Sequence, residues 1–402
     1  MAVAGAGAFG RNHLRVLREL ETAHAGVALV AAVEPDAGRA EETVRQFGIP
    51  VYPGVDALLA AGLKLDAACV AVPTVKHFEV ASALLEGGLD LLIEKPLAAT
   101  LAEADALVQN KKNIVQPGHL ERFNPAVMAV EPTVQRPMFF EAHRLSVFTP
   151  RSLDVDVVLD LMIHDLDVVL AFANSPVREV RAVGLPVVSP KVDIANVRVE
   201  FESGCVANFT ASRVSTERVR KLRFFEPRQY VSIDYARRDV LVIRMAPPAV
   251  GPTFGQGFSE NALAQAAAQF LATGKLDGAT LQSLLAAGNI PAGLMMKALA
   301  AKNDPEKLRE IAKGLAGTQP APQPIEAQEG PAPGLSFVRP QVEPGEPLRL
   351  EILSFLDSVR TRRPPRVTAE QGRNALELAL AIQAGMAAHA ERAGLGDFFR
   401  AN

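Results

Sequence analysis

At 402 residues the chain is too long for one ordinary hydrophobic core and suits two domains, with room for a further module. An apolar fraction of 49% and a formal net charge of −3 describe a globular protein without the basic excess that nucleic-acid binding requires. The two cysteines, Cys69 and Cys205, are too few for a disulfide framework or a structural zinc site, so both are expected as small buried side chains and no metal is expected.

The opening MAVAGAGAFG lacks the basic start and cleavage site of a signal peptide, and no apolar run approaches a membrane span; a cytoplasmic protein is expected. MAVA is a very short strand, followed by a glycine turn and a helix through RNHLRVLREL. A strand of four residues is shorter than usual, which leaves open a native start with additional residues. VALVAAV, DAACVAVP and DLLIEKP read as buried strands, with AGRAEETVRQF and FEVASALLEGG as helices between them. Continuous apolar strands alternating with amphipathic helices predict βαβ units and a doubly wound parallel sheet over residues 1–120.

After residue 120 the rhythm changes. MFFEAHRLSVF, VREVRAVGLPVV, IANVRVEFES, CVANFTASRV, LRFFEP, YVSIDYA and DVLVIRM are successive strands, which predict a large, mostly antiparallel open sheet over 121–250 and 335–402. The helix VLDLMIHDLDVVLAF, residues 158–172, packs on one face of that sheet. Residues 251–334 interrupt this domain with short helices within 259–316 and a Pro-rich, extended linker. Two helices, LRLEILSFLDSVRTR and TAEQGRNALELALAIQAGMAAHAER, close the chain.

The turn Gly5-Ala6-Gly7-Ala8-Phe9-Gly10 lies between an apolar strand and a helix, the context of a dinucleotide site. Gly5 permits the tight turn, Gly7 lets the backbone approach a pyrophosphate, and Gly10 brings helix close to sheet. Glu34, ending the second strand, is placed to accept hydrogen bonds from a ribose diol; a carboxylate there repels a 2′-phosphate, so NAD is favoured over NADP. Asp36 is an alternative to Glu34, and the nearby Arg39 keeps NADP open. Ligands of doubly wound sheets bind beyond the carboxyl ends of the strands, where Pro73, Thr74 and His77 follow one strand and Glu94, Lys95 and Pro96 follow another. On residues alone, Lys95 reads equally as a surface charge or a group aimed at the reactive end of a cofactor. Asp160 and His164, four apart within the apolar helix, are costly to bury unless paired. On one helix face, Asp160 can hydrogen-bond the imidazole and set its tautomer, either as a satisfied core contact or as a general base with its orienting carboxylate.

The order of VAGAGAFGRNH, VAVPT followed by His77, EKP and DLMIHD resembles the Gfo/Idh/MocA family of NAD(P)-dependent sugar and cyclitol oxidoreductases, over about residues 1–245 and 335–402. Within it, GHLERFNPAV and HRLSVFTPRSLDVDVVLDLMIHDLD are similar to the group of bacterial UDP-N-acetylglucosamine 3-dehydrogenases, which act ahead of an aminotransferase in lipid A or O-antigen sugar synthesis. The resemblance implies that Lys95, Asp160 and His164 meet over the nicotinamide, with His164 as base and Lys95 stabilising the alkoxide, or a neutral Lys95 as base. It implies cofactor contacts from Gly5, Gly7, Ala8, Phe9, Gly10, Glu34, Pro73, Thr74, His77 and Glu94. A small nucleotide-sugar substrate has two phosphates, for which Arg122, Arg144 and Arg151 are candidates, with Asn124 for a sugar hydroxyl. A homo-oligomer, a dimer or tetramer formed through the open sheet, is implied as well, with no nucleic-acid or membrane partner. Another sugar or inositol dehydrogenase, or a sugar-sensing regulator without turnover, are the alternative readings.

Overall fold

Short apolar runs without an exposed polar face favour burial on both sides, which a parallel sheet provides. In the computed structural model, which describes residues 1–149, 156–246, 328–329 and 334–395, these runs become β1 (Ala2–Ala4), β2 (Ala31–Val33), β3 (Val51–Tyr52), β4 (Ala67–Val70), β5 (Asp90–Glu94) and β6 (Val115–Gly118). All pair parallel in the order β3-β2-β1-β4-β5-β6, so the sequence order reverses between β1 and β4. Ligands of such sheets bind in the crevice opened by that reversal. The strand expected over VALVAAV is shorter, yet Val30 N–H still bonds to the Met1 carbonyl at 2.9 Å. Helices α1 (Ala8–Thr22), α2 (Ala37–Phe47), α3 (Val55–Ala60), α4 (His77–Glu86) and α5 (Leu101–Gln109) connect the strands. Asp36 caps α2 by accepting from Arg39 N–H, and Thr100 and Glu103 form a capping box on α5.

The chain divides into two compact units, Met1–Arg244 with Phe337–Asn402, and Met245–Ser336. Of the second, residues 245–246, 328–329 and 334–336 are described, with Ala246 N–H bonded to the Gly334 carbonyl at 2.7 Å. The helices expected within 259–316 lie outside the described residues, as does most of the Pro-rich stretch.

A short helix, α6 (Pro125–Val130), leads into the larger sheet. Its strands in the first unit are β7 (Phe139–Val147), β8 (Val177–Leu185), β9 (Ile194–Phe201), β10 (Val206–Ser215), β11 (Val219–Glu226), β12 (Gln229–Asp234) and β13 (Asp239–Met245). Their order is β13-β12-β11-β7-β10-β9-β8, antiparallel throughout except that β7 and β10 run parallel. Alternation decides the inner face: Ala195, Val197, Val199 and Phe201 of β9 are buried while Arg198 between them is exposed. The apolar helix that covers this face is not uniform. Residues Val158–Met162 form a π-helical turn, and α7 (Ile163–Ala173) continues from it.

The two closing helices return to the first sheet. α8 (Pro347–Thr361) packs Leu348, Ile352 and Phe355 against Leu14 and Leu17 of α1. α9 (Ala369–Arg392) places Leu376 in the core of the parallel sheet and Leu378, Ile382 and Met386 in that of the larger one, so one helix ties both cores. No helix among the described residues is long and apolar enough to cross a membrane.

The glycine turn shows how local geometry dictates residue choice. Gly5 has φ +95°, and a Cβ there would meet the Ala71 carbonyl oxygen at 2.5 Å. A Cβ on Gly10 would meet the Gly5 oxygen at 1.8 Å, whereas one on Gly7 would meet nothing within 4 Å. Gly10→Ala is therefore expected to destabilise the protein by about 1–3 kcal/mol or more in urea unfolding. Gly7→Ala should change stability by less than about 1 kcal/mol, since only the helix N-cap is altered.

Candidate active site

Each loop facing the crevice leaves the carboxyl end of a parallel strand. Gly7 caps α1 with extended backbone and open space around its Cα, which is what a pyrophosphate at a helix N-terminus needs. Ala8 and Phe9 beside it are exposed, while Gly10 is buried against the turn. Glu34 ends β2 and is buried, with Oε2 accepting Ala6 N–H at 2.9 Å. Its Oε1 accepts Asp36 N–H at 3.0 Å and Arg39 Nη2 at 2.9 Å. Burial pushes this carboxyl up, but the Arg39 hydrogen bond and the two backbone donors outweigh it and hold it below its ordinary value. Arg39 is thus engaged with the carboxylate that disfavours a 2′-phosphate. Pro73 and Thr74 open the turn after β4, the first exposed and the second half-buried.

Lys95 follows β5, and its ammonium donates to the Asp160 carbonyl at 2.9 Å and the Leu159 carbonyl at 3.4 Å. The Asp160 carboxylate lies 3.9 Å from the same Nζ. Burial lowers the Lys95 pKa from its ordinary value, opposed by the charges of Asp160 and Glu94. His164 lies one turn further along the helix and is buried. Burial first, then the charges of Lys95 and Arg144, depress its pKa well below 6.5, so the ring is neutral at neutral pH and available to accept a proton.

The expected Asp160–His164 hydrogen bond is absent, which corrects the four-residue pairing. Nδ1 of His164 is buried without a partner, and the Asp160 carboxylate turns to Lys95. The reason is local: Asp160 sits in the π turn, whose extra residue displaces it from the regular α-helical i, i+4 stack. Asp160 consequently steadies the cation rather than the imidazole.

Other candidates are framework groups. Arg144 is buried, with Nε and Nη2 bound to the Asp165 carboxylate at 2.7 and 2.9 Å, Nη1 to Glu121 at 3.1 Å, and its guanidinium over the Tyr235 ring. Asn124 caps α6 through Ala126 N–H and donates to Glu121 and the Tyr235 carbonyl. Arg122, also buried, faces Asp167 at 3.8 Å and Glu131 at 3.6 Å, and lines a cavity of about 690 Å³ whose lining includes neither Lys95 nor His164. Of these three expected substrate contacts, Arg144 and Asn124 are bound to interior partners, while Arg122 keeps Nε and Nη1 without a hydrogen bond beside the cavity. Arg151 lies outside the described residues.

His77 and Glu94, expected as cofactor contacts, also have interior partners. His77 is buried, with Nδ1 2.8 Å from the Pro96 carbonyl and Nε2 3.0 Å from that of Val72, so it joins the two loops. Glu94 Oε1 lies 2.7 Å from His13 Nε2, and Oε2 accepts Lys95 N–H at 3.2 Å. Burial pushes the Glu94 carboxyl up, and His13 and Lys95 pull it below its ordinary value. Sequence reading missed His13, Glu121 and Asp165. Polar residues on otherwise buried helix faces, such as His13 in RNHLRVL and Asp165 in MIHDLD, were the available signal.

Two family models match the chain: the oxidoreductase family with an NAD-binding Rossmann fold over residues 1–119, and the GFO/IDH/MocA C-terminal domain over 127–227. The chain is 38% identical over 238 residues to the UDP-N-acetylglucosamine 3-dehydrogenase of Acidithiobacillus ferrooxidans, covering 58% of this chain and 73% of the relative. It is 27% identical over 232 residues to the scyllo-inositol 2-dehydrogenase (NAD(+)) of Bacillus subtilis, covering 53% and 67%. A solved structure of the Acidithiobacillus ferrooxidans enzyme superposes with a TM-score of 0.70 at 27% identity, covering 96% of this chain and 97% of that one.

The framework assignment of Arg144 has a measurable consequence. Arg144→Met leaves Asp165 and Glu121 buried without their cation and is expected to cost about 3–5 kcal/mol in urea unfolding. A substrate-holding arginine would instead raise KM and leave stability intact.

Proposed function

The chain belongs to the Gfo/Idh/MocA oxidoreductases, and we propose that it oxidises the 3-hydroxyl of UDP-N-acetylglucosamine to the 3-keto sugar with NAD. The observation that carries this reading is the meeting of Lys95 with Asp160, one helical turn before His164, at the carboxyl edge of the parallel sheet. The Acidithiobacillus ferrooxidans relative supports the choice of sugar.

The glycine turn fits NAD: Gly5 and Gly10 are closed to any side chain, Gly7 is open, and Glu34 stands at the end of β2. Gly5, Gly7, Ala8, Phe9, Gly10 and Glu34 are the residues that would hold it, with Pro73 and Thr74 beside them. When bound, NAD supplies the acceptor for the hydride from the sugar carbon. The protein's own part is the proton. His164 takes it from the 3-hydroxyl, and the negative charge on that oxygen faces the Lys95 ammonium. Asp160 and the two helix carbonyls hold the ammonium in place, so no reorganisation is needed as charge develops. The arrival of an anionic substrate raises the proton affinity of His164 above that of the free protein.

We place the enzyme in the cytoplasm as a homo-oligomer, supplying a keto sugar for amination in lipopolysaccharide synthesis. The inositol dehydrogenase relative supports a second reading, a free cyclitol as substrate at the same three residues.

Purified protein with NAD is expected to form NADH with UDP-N-acetylglucosamine and not with N-acetylglucosamine or myo-inositol. An added keto acid recycles any retained NADH, and mass spectrometry identifies the product. His164→Ala should lower kcat by about 10²–10⁴-fold. Oxidation of myo-inositol alone would move the assignment to the cyclitol. The pH profile separates the two candidate bases. With His164 as base and Lys95 as the cation, the acid limb of kcat/KM lies below 6.5, because the imidazole must be neutral to act, and a basic limb below 10.5 reports loss of the Lys95 proton. An acid limb above neutrality, with activity rising as Lys95 loses its proton, would transfer the role of base to Lys95.

A further inference from the structure

We propose that Arg220 binds the diphosphate of a nucleotide-sugar substrate and thereby presents the sugar to Lys95 and His164. The inference rests on the substrate class proposed above and adds a residue to it.

Register places the side chain. In the antiparallel pair of β11 and β7, Arg220 lies directly opposite Arg144, and directly opposed residues share one face of a sheet. Arg144 points inward to Asp165 of α7, so Arg220 enters the same layer, nearer the start of its strand. Its backbone is held there by Tyr235 N–H, which donates to the Arg220 carbonyl at 3.0 Å. Arg220 also belongs to the group of charges that bear on His164, after burial, Lys95, Arg144 and His119. The candidate base and this guanidinium therefore share one electrostatic neighbourhood.

What sets Arg220 apart is that its donors are unspent. It is half-buried, yet its guanidinium makes no hydrogen bond and no ion pair among the described residues. The two carboxylates near it are committed elsewhere: Asp165 gives both oxygens to Arg144, and Glu121 divides its oxygens between Arg144 and Asn124. None of its nitrogens is among the sealed polar atoms, so the donors reach open space. A partly desolvated cation without a hydrogen-bond acceptor is costly, and a planar fork of five donors suits the oxygens of phosphate and carboxylate groups, of which the proposed substrate carries the phosphates. Arg218, which also bears on Arg220, strengthens the positive field at this edge. The glycine turn at the other sheet already suits the cofactor's pyrophosphate, which leaves the substrate's diphosphate as the anion for Arg220.

Kinetics and binding of wild type, Arg220→Gln and Arg220→Lys test this. With NAD-loaded protein, Arg220→Gln should raise KM for UDP-N-acetylglucosamine and Kd for UDP, by isothermal titration, about 10- to 100-fold. The change in kcat should stay within a few fold, KM for NAD should not move, and Arg220→Lys should recover part of the loss. Thermal unfolding of both variants should match wild type. If wild type oxidises the UDP-sugar and Arg220→Gln leaves KM and UDP affinity unchanged, the Arg220 assignment falls alone. If wild type binds UDP through Arg220 but does not oxidise the UDP-sugar, the assigned reaction falls and the diphosphate site stands. Absence of both binding and oxidation overturns the two together.

Discussion

The hydrogen bond from the Lys95 ammonium to the Asp160 carbonyl, at 2.9 Å, is the interaction on which the site depends. It joins the end of a strand in the parallel sheet to the helix that covers the larger sheet. A buried ammonium is stable only when acceptors surround it, and here they are two main-chain carbonyls and the Asp160 carboxylate. Both carbonyls lie in or beside the carboxylate's own π turn, where a widened helical ladder leaves acceptor capacity for an outside donor. The irregular turn and the lysine thus explain each other. A regular helix would stack Asp160 toward His164 and leave Lys95 poorly satisfied.

Charge balance follows from the same arrangement. Burial lowers the His164 pKa most, and Lys95, Arg144, His119 and Arg220 add to it, so the imidazole stays neutral. Asp165 and Glu121 are bound by Arg144, and Asp160 faces Lys95. The outcome is a crevice edge with a fixed ammonium and a neutral base. That combination suits an anionic substrate whose hydroxyl must lose a proton, because the arriving charge is attracted and the forming alkoxide is met by a fixed cation.

Much of this was legible in the sequence where function depends on local backbone. The glycine turn, Glu34 and Lys95 are set by strand ends and tight turns, which a short stretch of residues specifies. Burial was harder to read. The partners of Arg122, Arg144 and Asn124, namely Glu121, Asp165, Asp167 and the Tyr235 carbonyl, are brought to them by tertiary packing and leave no local signal. The Asp160–His164 pair failed for a different reason, since the π turn alters helix phase without any proline or glycine to announce it. Arg220, within STERVRKLRFF, has no local signal to distinguish it from its basic neighbours, and the register with β7 turns it inward.

The most direct test of the central claim follows the hydrogen itself. UDP-N-acetylglucosamine deuterated at sugar C3 should give NADH carrying one deuterium, by mass, along with a 3-keto sugar that has lost it. Unlabelled NADH would mean that the hydride leaves another carbon, and the assignment of the 3-hydroxyl would be wrong.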